Sequence, residues 1–126
     1  MAYDTISQMD FGQAIAAVDM TDNLFKAGVL TGESVALAGT AGGRVDCVIH
    51  TDAPAGIAVR TVLKGVTKAS AGAAVTAGAE VAVDANGQFV PATVTDIVVG
   101  KSITAADAAG EIFTVYFYGA DSYAAA

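Results

Sequence analysis

The chain has no tryptophan, one cysteine, one histidine, and six basic residues against thirteen acidic ones. Each shortage closes a class of function. A single cysteine, Cys47, cannot form a disulfide within the chain. Cys47 and His50 together fall short of the four ligands of a structural zinc. They stand three residues apart, and on a strand such residues point to opposite faces, so a dyad needs a bend before His50. Cys47 is expected as a small buried apolar side chain, and His50 as a loop residue beside "TDAP". No second imidazole exists for general acid–base chemistry.

The charge balance excludes more. A formal net charge of -7 repels a phosphate polyanion, and Lys26, Arg44, Arg60, Lys64, Lys68 and Lys101 lie apart in the sequence, so nucleic acid is not an expected partner. No apolar run approaches the ~20 residues that span a bilayer, and no membrane partner is expected. The opening "MAYDTISQMDFGQ" carries Asp4 and Asp10 and no base before Lys26, which does not fit a secretory signal. The protein is expected to be made in the cytoplasm.

What is present is small and apolar. The hydrophobic share is 54%, but much of it is alanine. Burial stabilises by roughly 25 cal/mol per Å² of apolar surface, so the core is thinner than that share suggests. A length of 126 residues fits one domain. With five Phe, four Tyr and few other large anchors, such a chain gains from burying surface against a partner.

From Gly28 onward, short apolar segments alternate with Gly-rich turns: "SVALA" (34–38), "RVDCVI" (44–49), "IAVRTVLKGVTKA" (57–69, broken by Gly65), "AEVAVD" (79–84), "DIVVGKSI" (96–103) and "EIFTVYFY" (111–118). Period-2 alternation and β-branched residues predict strands, and their even spacing predicts a small barrel or sandwich. "LTGESVALAG" and "VTAGAEVAVD" resemble each other as a recurring turn-into-strand device. Residues 1–27 show little β pattern and are expected as an N-terminal arm, helical or extended, ahead of a β domain at 28–118. Residues 119–126 are expected as a flexible tail.

Motifs suggestive of chemistry dissolve on inspection. "GKSIT" resembles the end of a phosphate loop, but Thr95 stands where that motif needs its first Gly. "GTAGG" precedes a strand, so no helix N-terminus is there to hold an anion. In "TAGAEVAVDANGQFVPA", Asp84 and Asn86 invite a calcium reading, but Thr95 occupies the place of the Glu that ends an EF-hand loop. Turn chemistry explains the stretch better. Asn86–Gly87 is expected to supply the positive φ of a tight hairpin, with Asp84 bonding its own backbone. The acids are dispersed, and no catalytic residue, metal or cofactor is expected.

"EIFTVYFY" places Phe113, Val115 and Phe117 on one face and Ile112, Thr114, Tyr116 and Tyr118 on the other. Both faces are largely apolar. Either the strand is sandwiched within the monomer or one face packs on another subunit; the thin core favours the second, and Tyr suits a contact.

The ordered run "GVLTGESVALAG", "DAPAGIAVRTVLKGVTKA", "AVTAGAEVAVDANGQFVPA" and "DIVVGKSITAADAAGEIFTVYFY", about residues 28–118, resembles the tailed-bacteriophage capsid decoration, or cement, proteins. The closing strand is more aromatic than is usual in that family. The resemblance implies a mostly β, single-domain barrel or sandwich, β-tulip-like, and a non-enzymatic role. It implies binding to the outside of the head, on the major capsid protein, commonly as a homotrimer over local three-fold axes. Tyr3, Phe11, Ile15, Val18, Leu24, Phe25, Ile112, Tyr116 and Tyr118 are the expected contacts with capsid or neighbouring subunits. On this reading, deleting residues 1–20 leaves the β domain folded but weakens head binding. Rival readings are a tail- or fibre-associated β-module that binds glycans, a small hydrolase, and a barrel holding a ligand.

Overall fold

The computed structural model describes residues 9–124. Their architecture is all β apart from one 3₁₀ turn, Gly119–Asp121. The first five strands are β1 (Met9–Ala16), β2 (Ala27–Thr31), β3 (Ser34–Leu37), β4 (Cys47–Ile49) and the long β5 (Ala58–Ser70). They pair in the order β1-β3-β2-β4-β5, and β5 returns to β1, so the ring closes. β1 meets β3 in parallel, and every other pairing of the ring is antiparallel. Closure of a sheet on itself removes its open edges.

The remaining strands extend the sheet from the far half of β5. They are β6 (Glu80–Val83), β7 (Phe89–Pro91), β8 (Ile97–Val98), β9 (Gly100–Ser102), β10 (Ile112–Phe117) and β11 (Tyr123–Ala124). The order continues β5-β10-β9-β6-β7, while β8 and β11 form a separate pair. The molecule is thus a small barrel with a second sheet folded over one side of it.

Two cores follow from this arrangement. The barrel is filled by Ala14, Ala16, Met20, Val35, Cys47, Ile49 and Val59, with Leu30, Leu37 and Leu63 against them. Its filling is tight: a β-carbon on Gly28 would lie 2.9 Å from Val35 and 3.0 Å from both Cys47 and Ile49. The second core lies between the barrel wall and the overlying sheet. Ala27, Val48 and Val62 meet Val81, Val83, Phe89, Phe113, Val115 and Phe117 there.

Strand β5 serves both cores by a change of parity. Val59 and Leu63 join the barrel interior, whereas Val62 and, further on, Ala69 face the second core. Odd residues therefore point into the barrel at one end of the strand and into the second core at the other. The switch coincides with a bulge: Phe11 is opposite Val62 and Asp10 opposite Lys64, leaving Leu63 as the extra residue. Gly65 next to it has φ 122, a conformation that a side chain disfavours. Gly65 thus lies within a continuous strand, where the sequence predicts a break.

The N-terminal segment also differs from its sequence expectation. From residue 9 it is a sheet strand running antiparallel to β5, from Met9 opposite Gly65 to Ile15 opposite Ala58. The reason is size alternation: Ala14 and Ala16 are buried in the barrel while Gln13 and Ile15 face out. At Gly12 a β-carbon would lie 3.0 Å from Thr61 and 3.1 Å from Leu63. Deleting residues 1–20 would remove the strand that closes the barrel, so it would not spare the fold.

The C-terminal segment is likewise tied down as far as residue 124. Tyr123 and Ala124 pair with Val98 and Ile97. The Ser122 hydroxyl donates to the Gly119 carbonyl at 2.7 Å, and Lys64 forms an ion pair with Asp121.

The hairpin at 80–91 turns through Asp84–Gln88. The Asp84 carboxylate accepts the Asn86 N–H at 2.8 Å and the Gln88 N–H at 3.0 Å. The Gly87 N–H donates to the Asp84 carbonyl at 3.3 Å, and Gly87 has φ 77 while Asn86 does not have positive φ. The loop is therefore a type I turn followed by a left-handed Gly, one residue longer than a two-residue Asn–Gly turn.

Candidate contact surface

The chemistry-bearing residues are placed first. Cys47 is fully buried in the barrel, and burial, with the Asp46 charge beside it, pushes its thiol up to about 12. His50 follows β4 and is half-buried, with Phe25 edge-on at 6.0 Å between ring centroids. Asp46 accepts the Leu30 N–H at 2.9 Å and pairs with Arg44 at 3.2 Å, so it braces β2. Lys101 and Ser102 of "GKSIT" belong to β9, where the Ser102 hydroxyl donates to the Thr76 carbonyl at 2.6 Å. No group of three or more potential metal ligands occurs among the described residues.

One outer sheet face displays tyrosines. On the outer face of the second sheet, Val66, Tyr116, Lys101 and Glu80 stand in register across β5, β10, β9 and β6. Tyr116 is 41% exposed. Its ring meets Tyr118 edge-on, centroids 5.5 Å apart, and Tyr118 stacks on Tyr123. The Tyr123 hydroxyl donates to Glu80. Burial, then the Glu80 charge, then Tyr116 raise the Tyr118 hydroxyl above its ordinary range. Val66, Lys101, Ser102, Ile103 and Tyr116 line a shallow, mostly apolar groove. Ile112 is also exposed, whereas Thr114 between them is buried and donates its N–H to the Thr104 hydroxyl.

The expected contact residues divide between two places. Ile112, Tyr116 and Tyr118 share this outer face. Phe25 borders it, with the Lys68 ammonium 5.7 Å from its ring centroid, and Leu24 is exposed beside Phe25. Ile15 and Val18 stand at the far end of the barrel. Ile15 is opposite Ala58, eight residues along β5 from the Val66 that faces Tyr116, which is roughly 26 Å on an extended strand. Tyr3 and the side chain of Phe11 lie outside the described residues. Tyr123, Ile103 and Ile57 are exposed as well and were not singled out by the sequence. Only the neighbouring Ser122 and a lone aromatic in an Ala-rich end could have marked Tyr123.

The β scaffold thus seals two cores and displays tyrosines on one sheet face. The family described as phage cement protein matches residues 12–117, and the chain belongs to that family. It is therefore a structural protein associated with the phage head, and membership suggests a non-enzymatic role. No curated protein matches the chain. Among solved structures, the head fiber gp8.5 N base of bacteriophage phi29 shares the fold, with TM-score 0.67 and 18% identity over 86% of this chain and 93% of that one.

Proposed function

We propose that the protein decorates the outside of the phage head, binds the major capsid protein lattice as a homotrimer, and stabilises the shell. The observation that carries this reading is the exposed tyrosine face on a sheet whose other face is fully packed. Tyrosine brings contact area and a hydroxyl at little entropic cost. Weak contacts repeated over a lattice sum through multivalency, so no chemical step is needed. Ile112, Tyr116, Tyr118, Phe25 and Leu24 form one contact group, and Ile15 and Val18 form the other; Tyr3 and Phe11 are further proposed contacts. Sedimentation of the purified protein alone and with bare heads tests the reading. A trimer that pellets with heads to saturation is expected; a concentration-independent monomer left in the supernatant would overturn it.

The fold shared with a head fiber base favours a second reading, a fibre-associated module, whose ligand on that reading would be a glycan. It predicts a saccharide-dependent rise in Tm, which the decoration reading does not.

A further inference from the structure

The tip of the hairpin at 80–91 carries the sequence's one asparagine–glycine pair, Asn86–Gly87. Asn86 is exposed and Gly87 is buried. The Gly87 carbonyl accepts the Ala27 N–H at 2.7 Å. A β-carbon on Gly87 would lie 3.2 Å from the Ala27 carbonyl oxygen and 3.4 Å from Leu37. Gly87 is therefore the point at which the second sheet's hairpin is seated on β2 and β3 of the barrel. The Asp84 carboxylate clamps the same turn through the Asn86 and Gln88 N–H groups. The bond from the Gly87 N–H to the Asp84 carbonyl, at 3.3 Å, is longer than either.

An asparagine followed by glycine carries a reaction of its own, because no side chain shields the glycine nitrogen. The Gly87 nitrogen, giving up its proton to water, bonds to Cγ of Asn86. The Cγ–Nδ2 bond breaks, and Nδ2 leaves as ammonia with a proton taken from solvent. Water then opens the cyclic succinimide. Cleavage at Cγ gives aspartate; cleavage at the main-chain carbonyl gives isoaspartate, whose main chain runs through the side-chain carbons. The attack needs the Gly87 nitrogen turned toward the Asn86 side chain. A type I turn holds ψ near zero at its third residue, here Asn86, and so keeps that nitrogen turned away. Conversion therefore passes through local opening of the turn, and the clamp sets how often it opens.

We infer that Asn86–Gly87 is a site of spontaneous modification in the folded protein, with Asp84 as the group that sets its rate. Isoaspartate at 86 adds an atom to the main chain directly before Gly87. Gly87 is then pushed off its seat, the bond from Ala27 is lost, and the hairpin loosens from the barrel. The new carboxylate also stands beside Asp84, like charge on like. The reaction is irreversible, so it marks the age of each molecule at the joint between its two cores. Asn23 is the other asparagine; it is followed by Leu24, and its side-chain oxygen accepts the Lys26 ammonium at 3.2 Å. It serves as the internal control.

The experiment incubates the full chain at mildly alkaline pH and follows both asparagines by peptide mass mapping and isoaspartate-specific methyl labelling. Asn86 should convert while Asn23 stays intact, and Asn86→Gln should block the reaction. Asp84→Ala should convert at least about fivefold faster, the effect of losing the clamp's hydrogen bonds. Asp84→Asn, which keeps an accepting oxygen, should stay near the native rate. Tyr123→Ala, a destabilising change away from the turn, should also leave the rate unchanged. Equal acceleration by Tyr123→Ala would route conversion through global unfolding and overturn the role of Asp84. A native chain whose Asn86 stays intact while the urea-denatured chain converts would overturn the site. The isoaspartate form, separated by ion exchange, should melt below Asn86→Asp and lose exchange protection at the Ala27 N–H. Equal Tm and equal protection in the two would show that Gly87 keeps its seat and overturn the loosening.

Discussion

Tyr118 and Tyr123 lie with ring centroids 6.1 Å apart and planes 22° from parallel. The stack fastens β11 over the end of β10. Replacing Tyr123 with Ala removes it together with the hydrogen bond to Glu80. Tyr123 is partly exposed, so the expected loss is about 1 kcal/mol, read by chemical denaturation. The variant should also lose hydrogen-exchange protection at Val98, its partner in the β11 pairing.

The same cluster gives the protein an alkaline limit. The folded state holds the Tyr118 hydroxyl above its unfolded value of 10.0. Its stabilising contribution is therefore complete below that value and is lost as pH rises through the higher folded one. Tyr118→Phe should lose less stability between pH 10 and the end of the tyrosine titration. An unchanged alkaline profile in that variant would assign the loss to other groups.

Cys47 should be inert in the native protein. With the thiol raised from 9.0 to about 12, the thiolate fraction near pH 8 falls by roughly a thousandfold. A disulfide reagent should label the folded chain slowly and the denatured chain at once. Fast native labelling would mean that the barrel opens readily.

Asp84 holds two backbone N–H groups of its turn. Asp84→Ala should cost about 1–2 kcal/mol, and Asp84→Asn less, because the amide oxygen still accepts. Gly28→Ala should cost about 1–3 kcal/mol by overpacking the barrel, since its new methyl meets Val35, Cys47 and Ile49. Thermal or urea unfolding measures both.

Tyr116→Ser should cost folding only about 1 kcal/mol, the loss of its edge-on contact with Tyr118, while lowering occupancy on bare heads. Equal occupancy of native and variant protein would remove Tyr116 from the contact.

Strand content was legible where side chains alternate apolar with polar. "EIFTVYFY" announces β10 because Phe113, Val115 and Phe117 are large. β1 was less legible because its inward residues are Gly12, Ala14 and Ala16, whose alternation is one of size. The bulge at Leu63 leaves no mark in a run of apolar and β-branched residues; Gly65 hints at irregularity, and the pairing with β1 fixes its form. The outer tyrosines could be assigned to a face from period-2 spacing alone. Their union with Tyr123 and Glu80 could not, because it joins residues from three distant segments.

The parity change in β5 makes that strand one whose residues are counted. Removing one residue between Val62 and Gly65 would put the two halves of β5 out of phase. Either the barrel would receive Ala58 and Arg60, or the second core would receive Val66 and Lys68. A substitution at Leu63 costs packing, but a deletion there exchanges inside for outside along half a strand. Length variation in this protein should therefore be confined to its loops, with β5 behaving as a fixed ruler between its two ends.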